Sequence, residues 1–430
     1  MKKLLSVLLI ALFIFKPAYS QTFISGIISS NATWTLANSP YVVTANTVIM
    51  PNVIINVQPG VLIKLMANVQ ISLRGTFNCI GTSSDSIWFT ANDGLTHWEG
   101  FYVDNSSYNP KVNFRYCSVT LGNGIFSVVN YNASTDTLIK LVRCTFKNNS
   151  GDIIDENSGI KTHKAYIDSC IFSNNPSHAM YEASNFTIKN SKFYGVSASP
   201  LGRAIFSGTY QNTIIDNCEF SGFNDLAVAI QGSITNSTFY NNHTAIATNS
   251  NGTPEVHYNN IYDNQIGIKD WQYGAINSPT QITNNRFCNT TNVRKVYGAD
   301  SYYINNCWCL NDSLQIEASI WDFFDAGSLG IVYFYPYVAN CSIIVGSADN
   351  NEKIAFSLFP NPASDKLNIE ISGSIGEKSL SVYNIQGQLM WQQTARQEKL
   401  EIDIARLSKG LYLLKLITTE GSVVKKFIKE

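Results

Sequence analysis

Apolar and polar positions repeat along residues 111–290 at intervals of 19 to 27 residues. Each repeat has an apolar residue, two further residues, a Cys, Ser or Asn, one more residue and a second apolar residue. The middle position, called the slot below, holds Cys117, Cys144, Cys170, Ser191, Cys218, Ser237, Asn259 and Asn285 in turn. Self-similarity at such a period is typical of a solenoid, in which each repeat stacks on its neighbours.

The repeat at residues 215–220 shows how one coil is built. Cys218 and Phe220 are two apart and share a strand face, but Ile215 and Cys218 are three apart, so the chain must bend between them. Asparagine tolerates the left-handed backbone of a sharp corner. It stands before the slot at Asn190, Asn217, Asn236 and Asn284. The pattern predicts two or three short strands per coil of a parallel β-helix. Unrelated antiparallel hairpins are the alternative, but the Asn-Gly turns they favour are rare here.

An eight-residue period precedes these repeats. Val53, Val61, Val69 and Phe77 recur every eight residues, and Ile55, Ile63, Ile71 and Cys79 do the same. Eight residues make one strand and one corner, so three sides give a coil of 24 residues. That length agrees with the later spacing and predicts one continuous solenoid.

The repeats resemble the right-handed parallel β-helix family of pectate-lyase-like proteins. The stretch from Trp34 to Phe101, with Trp98-Glu99-Gly100, resembles the N-terminal part of secreted bacterial members. This resemblance implies an all-β solenoid over residues 21–345 and a packing role for Trp98. Residues 288–345 resemble the family's C-terminal cap, and their apolar spacing predicts a helix over residues 313–324.

The last part of the chain has a different pattern. Residues 346–353 are small and polar and predict a linker. Residues 354–430 alternate apolar and polar positions between glycine turns, which predicts a small antiparallel Ig-like β-sandwich. The expected strands are residues 367–371, 380–383, 400–404, 411–417 and 423–428.

This segment also resembles the type A C-terminal sorting domain of the type IX secretion system. The residues that carry the resemblance are Pro360, Asn361, Pro362, Asp365, Asn384, Gly387, Gly410, Tyr412, Lys426 and Lys429. The resemblance implies that the type IX machinery is a partner and carries the protein across the outer membrane. The mature chain is then anchored at the surface or released.

The N-terminus predicts the first export step. Lys2 and Lys3 precede an apolar run over residues 4–15, and Ala18-Tyr19-Ser20 is a small-x-small site. Residues 1–20 are therefore interpreted as a signal peptide. The apolar run is short for a membrane span of about 20 residues, and no later segment is long enough either.

The net charge of the chain limits the classes of partner that the protein is expected to bind. The formal net charge is -1, so no basic surface indicates nucleic-acid binding. Charged residues make up 14% of the chain, against about 25% for an average domain. Uncharged Ser, Thr and Asn stacked along a solenoid explain the shortfall.

Eight of the nine cysteines fall into two groups. Those in the slot are expected to be buried thiols, because Ser or Asn fills the same position elsewhere. Four others, in the predicted cap of an exported chain, are expected to form at least one disulfide. They are Cys288, Cys307, Cys309 and Cys341, and Cys341 is expected to pair with Cys307 or Cys309. A Cys-x-Cys metal site is the weaker alternative, since the cap has no histidine.

The sequence leaves three functions open: adhesion or glycan binding, a polysaccharide lyase or glycoside hydrolase, and an inert spacer. Hydrolysis needs two carboxylates across one bond. Aligning the second strands gives the outward residues Tyr181, Phe206, Gln231, Ala247 and Lys269, with no recurring acidic pair. The acidic loop at residues 151–159 is interpreted as solvated, with calcium binding as an unsupported alternative. The interpretation therefore favours a non-catalytic protein, with no catalytic residue, metal or cofactor predicted.

The same alignment gives a hypothesis about binding. Tyr181 and Phe206 are 25 residues apart, and thus about one coil apart. Aromatic faces so placed can stack on sugar rings of a polysaccharide or surface glycan, with Gln231 donating a hydrogen bond. The alternative is that both rings pack under the loop at residues 194–203.

Overall fold

The structure is a computed structural model. It describes residues 21–130, 137–156, 164–182, 185–196, 202–207, 212–248, 254–271, 278, 281–310, 312–338, 341, 355–372, 378–384, 388–418 and 421–430. The predicted signal peptide, the predicted linker and Gly387 lie outside these ranges. The chain divides into two compact units, Met1–Gly346 and Ser347–Glu430.

The first unit is a parallel β-solenoid of about ten turns. Each coil crosses three faces, and each face is a ladder of parallel strands, numbered here in chain order. The first face contains β2 (Ala32–Trp34), β4 (Ile54–Val57), β7 (Thr76–Ile80), β10 (Lys111–Arg115), β13 (Thr137–Val142), β16 (Lys164–Asp168), β19 (Phe186–Lys189), β22 (Thr213–Asp216), β25 (Gly232–Thr235), β28 (Glu255–His257) and β31 (Ile282–Thr283).

The second and third faces share their first two strands, β1 (Thr22–Ile28) and β3 (Tyr41–Ile49). The second face continues through β5 (Leu62–Leu65), β8 (Ile87–Ala91), β11 (Cys117–Thr120), β14 (Thr145–Lys147), β17 (Ile171–Ser173), β20 (Lys192–Tyr194), β23 (Glu219–Ser221), β26 (Thr238–Tyr240), β29 (Asn260–Tyr262) and β32 (Arg286–Cys288). The third face continues through β6 (Gln70–Leu73), β9 (Gly100–Asn105), β12 (Phe126–Asn130), β15 (Ile154–Asp155), β18 (Met180–Tyr181), β21 (Arg203–Phe206), β24 (Leu226–Ala229), β27 (Thr244–Ala247), β30 (Ile266–Asp270), β33 (Thr291–Lys295) and β35 (Ile320–Trp321).

Stacked side chains of the same type fill the interior. Phe172, Phe193, Phe220 and Phe239 come from successive coils, and neighbouring rings stack face to face with centroids 4.7 to 4.8 Å apart. That spacing equals the distance between paired strands, so one phenylalanine per coil builds a continuous column. The aromatic pairs stabilise the coils beyond the area that they bury.

The corners have the predicted conformation. All four asparagines before the slot are left-handed, with φ between 51° and 60°. Tyr116, Arg143, Ser169 and Tyr258 adopt the same conformation at equivalent corners. Asparagine therefore marks this corner but is not essential to it, because the stacked strands on both sides hold the backbone in place.

The cap contains α1 (Ser313–Ala318) and the strand pair β34 (Ser301–Tyr302) and β36 (Val332–Tyr333). Asp312 caps α1 by accepting a hydrogen bond from the Gln315 amide. The predicted helix over residues 313–324 was too long. The helix ends at Ala318 because Ile320 is buried in β35, the last strand of the third face.

The second unit has two antiparallel sheets around one buried apolar cluster. One sheet contains β37 (Ala355–Phe359), β38 (Lys366–Ser372) and β41 (Lys399–Asp403). The other contains β40 (Leu389–Ala395), β39 (Lys378–Asn384), β42 (Gly410–Thr418) and β43 (Gly421–Lys429). The predicted all-β class, with a parallel β-helix before antiparallel sheets, is confirmed. The sequence pattern missed β37 and β40.

Candidate functional site

One row of outward side chains on the third face changes character from coil to coil. Strand pairing places Tyr181, Phe206, Ala229, Ala247, Lys269 and Arg294 at equivalent positions of successive coils. The row thus passes from aromatic to small to basic. The two alanines leave room that larger side chains on either side enclose.

The space above the alanines is a groove of about 560 Å³. Ala229 and Ala247 form its floor, and Phe206, Trp271 and Tyr297 line it as well. The Trp271 and Tyr297 rings meet edge to face, with centroids 5.9 Å apart. Three aromatic rings around a small apolar floor are typical of a site that binds a flat ligand surface.

Charged groups stand at both ends of this groove. Arg203 Nε lies 2.6 Å from Asp225 Oδ2, and its guanidinium lies 5.1 Å from the centre of the Phe206 ring. The Lys269 ammonium lies 4.7 Å from the centre of the Trp271 ring. Asp225 is the single carboxylate among the described residues that line the groove. The groove therefore offers aromatic faces and hydrogen-bond donors together.

The structure separates the three residues of the binding hypothesis. Tyr181 and Phe206 lie in adjacent coils and stack on each other, with centroids 5.8 Å apart and planes 13° apart. Gln231 does not continue this row, so its predicted equivalence was wrong: strand pairing matches Phe206 with Ala229. Gln231 follows the buried Ile230, just before β25.

The reason for this error lies in residues 226–230. They read Leu-Ala-Val-Ala-Ile, and every one is buried. A strand without alternation gives no indication of which side chains face outward. The same ambiguity hid the alanine floor, and Trp271 was missed because it lies one residue beyond β30. Only the register between coils identifies these residues.

Within the acidic loop, residues 152, 155 and 156 are more buried than the sequence indicated. Asp152 Oδ1 accepts a hydrogen bond from the His178 amide at 2.9 Å, contacts His178 Nδ1 at 3.0 Å and accepts one from Ser177. Burial opposes ionisation, but these hydrogen bonds hold the pKa of Asp152 below its usual value. Asp155 lies in β15, paired with Tyr181, and Glu156 is buried. The interpretation of these three residues as a solvated excursion was wrong.

The cap cysteines pair in the structure. Cys288 bonds to Cys309 and Cys307 bonds to Cys341, with Cα–Cα distances of 5.3 and 5.4 Å. The first pair joins the end of β32 to the cap, and the second lies within the cap. The slot residues Cys117, Cys144, Cys170 and Cys218 are buried and free, and so is Cys79. Burial raises the pKa of Cys218 to about 12, so its thiol stays neutral.

The C-terminal motif residues meet at one edge of the second unit. Asn361 accepts a hydrogen bond from the Ile428 amide at 2.9 Å and donates one to the Lys426 carbonyl at 3.3 Å. The Ala363 amide donates to the Ile428 carbonyl at 2.8 Å. Pro360 and Pro362 flank Asn361 in the same turn. The start of this unit is therefore held by its last strand.

Other motif residues support the same region. The Lys429 ammonium is nearly buried, 3.8 Å from Asp365. The Tyr412 hydroxyl donates to the Ser408 carbonyl at 2.8 Å, and its ring stacks on Phe427. Asn384 and Gln388, which precede β40, exchange three hydrogen bonds, two of which use the Asn384 side chain. Gly410 begins β42 in a backbone conformation that favours glycine, with φ 155°.

Comparison with protein families gives two matches. Residues 357–430 match the secretion system C-terminal sorting domain, and residues 179–313 match the right-handed β-helix region. The chain joins a right-handed β-helix to a type IX sorting domain. A search of curated proteins gives no match. The sorting domain indicates export to the cell surface or the extracellular space and implies contact with the type IX machinery.

Within the described ranges, no helix is long and apolar enough to cross a membrane.

Proposed function

We propose that the exported β-helix binds a polysaccharide or surface glycan without cleaving it, and thereby serves in adhesion. The observation that carries this proposal is the alanine-floored groove with Phe206, Trp271 and Tyr297 around it. Sugar rings have an apolar face that stacks on aromatic rings, and hydroxyl groups that pair with charged side chains at the rim.

The length of the groove supports the binding of an extended ligand rather than a single small group. Three coil steps separate Phe206 from Lys269, which corresponds to roughly 14 Å along the helix axis at one strand spacing per coil. Tyr181 supports the groove indirectly, because it stacks behind Phe206 and fixes the orientation of that ring. Gln231 has no part in this proposal.

The test is a glycan array probed with the exported protein, followed by affinity measurements on any ligand found. Replacing Phe206 and Trp271 together by alanine should weaken binding at least about tenfold, since each aromatic contact contributes about 1 kcal/mol. Trp88→Ala is the matched control, because Trp88 is 48% exposed but lies on the second face. That variant should bind like wild type.

Three results would contradict the proposal. If wild type binds no glycan, or if the double variant binds as well as the Trp88 variant, the groove has only a structural role. If wild type releases reducing ends or unsaturated sugars from its ligand, the protein is instead a glycoside hydrolase or polysaccharide lyase. The products of the reaction would then show which of the two it is.

A further inference from the structure

A lysine and an aspartate face each other inside the C-terminal end of the solenoid. Asp270 ends β30 and Lys295 ends β33, and the two residues are paired in register on adjacent coils. The Lys295 Nζ lies 3.2 Å from Asp270 Oδ2, and the exposed fractions of the two side chains are 0% and 1%. Burying two charges is costly even when they pair, so this environment is unusual for both groups.

Three hydroxyl groups surround the Asp270 carboxyl group. Ser301 donates to Oδ2 at 2.6 Å, Tyr303 donates to Oδ2 at 3.1 Å, and Thr248 donates to Oδ1 at 3.2 Å. Burial, reinforced by the neighbouring Asp270, raises the pKa of Tyr303 well above its usual value, so the phenol remains a donor. Both carboxyl oxygens are thus polarised by fixed hydrogen-bond donors.

We propose that Lys295 and Asp270 become joined by an amide bond between Nζ and the side-chain carboxyl carbon. Moving one proton from the ammonium to the carboxylate removes both buried charges and leaves an amine and a carboxylic acid. The nitrogen lone pair forms the new bond to carbon, and the bond from that carbon to its hydroxyl oxygen breaks. This oxygen leaves as water with its own proton and one from the amine. The condensation changes no oxidation state and consumes no other reactant.

The fold supplies the conditions for this reaction. The parallel ladder holds the two groups in contact, which replaces a bimolecular encounter by an intramolecular one. Fixed hydroxyl donors stabilise the negative charge that develops on the carboxyl oxygen during attack. Exclusion of solvent also protects the product from hydrolysis. The amide would link neighbouring coils at the end of the solenoid that the two disulfides also hold.

The decisive experiment is a tryptic map of the wild-type exported protein. Trypsin cuts after Lys269, Arg286 and Arg294. After reduction of the disulfides, we expect the peptide of residues 270–286 to be linked to the peptide that begins at Lys295, with a combined mass lower by one water. Trypsin should not cut after Lys295, because an amide nitrogen carries no charge for it to recognise. Separate peptides, with cleavage after Lys295, would overturn the proposal.

An internal control is available in the same digest. Lys192 Nζ lies 3.1 Å from Glu219 Oε2, a similar contact on a partly exposed part of the second face. That pair should remain unlinked, and a link there too would mean that sample handling, not burial, causes condensation. In Lys295→Arg the link should disappear. If this variant does not fold, the wild-type digest alone decides the matter.

Discussion

At the scale of single residues, the slot shows how polar groups are tolerated inside the solenoid. The backbone amide of Asn259 donates to Asn285 Oδ1 at 3.0 Å, and the backbone amide of Asn285 donates to Asn306 Oδ1 at 2.8 Å. The Asn285 Nδ2 in turn donates to the Val256 carbonyl at 2.7 Å. Each buried carboxamide therefore satisfies backbone groups at a corner, where the strand ladders do not.

This arrangement predicts the effect of removing one carboxamide. Asn285→Ala leaves the Asn259 amide and the Val256 carbonyl without their partner, which should lower the free energy of unfolding by about 3 kcal/mol. The measurement is chemical denaturation of the solenoid followed by tryptophan fluorescence. Asn56→Ala is the control, because Asn56 belongs to an exposed asparagine pair with Asn78. Its effect should stay within about 0.5 kcal/mol. Equal effects would contradict the role of the slot.

Some features of single residues could be predicted from the sequence, and others could not. The slot was correctly predicted to face inward, and the corner asparagines were correctly predicted to be left-handed. The hydrogen bonds of the slot were missed, because they join residues in different coils and depend on the exact register. The groove was missed for the same reason: Ala229 and Trp271 come together only when β21, β24 and β30 are aligned.

At the scale of elements, the cap concentrates the covalent links of the first unit. Cys288 ends β32, and its partner Cys309 lies 21 residues later. The second link closes a separation of 34 residues, from Cys307 to Cys341. The last coil has no further coil to cover it, so its core and its strand edges need a cover that stays in place.

Two measurements test these links. Non-reducing peptide mapping should recover Cys288 with Cys309 and Cys307 with Cys341. Replacing Cys288 and Cys309 by serine should lower the free energy of unfolding by about 3 kcal/mol, from the chain entropy of the closed loop. The control is Cys218→Ser, a replacement that the slot already contains at Ser191 and Ser237. It should cost less than about 1 kcal/mol. Finding all four cap thiols free in exported protein would contradict the pairing.

Strands could be predicted from the sequence where one side of the strand is buried and the other is exposed. The eight-residue period correctly indicated the three sides of each coil, since inward and outward positions alternate there. The predicted end of the helix was wrong because Ile320, whose spacing fitted a helix, belongs to β35 and not to α1. Strand β40 was missed because six of its seven residues are exposed or half-buried and give no clear alternation.

At the scale of the whole molecule, export is expected to need both ends of the chain. Deleting residues 354–430 should leave the solenoid folded, because its core and cap are complete within the first unit. The truncated protein should then accumulate in the periplasm in a protease-resistant form. Cell fractionation in a host with the type IX machinery measures this, with the full-length chain as the control.

Two outcomes of that experiment would contradict different statements. If the truncated chain still reached the surface or the medium, export would not depend on the sorting domain. If it were degraded at once in the periplasm, the solenoid would not fold independently. The predicted signal peptide can be checked in the same samples, because cleavage after Ser20 leaves Gln21 as the first residue of the periplasmic protein.

The contact between Asn361 and β43 has a consequence for quality control. Strand β43 is synthesised after all the other strands of the sorting domain described here, yet the turn at the start of the domain depends on it for its hydrogen bonds. A chain that stops before β43 is complete, through a nonsense codon or proteolytic trimming, lacks the partner that closes this turn. If the machinery recognises only the closed domain, then passage through the outer membrane also certifies that the polypeptide was translated through β43.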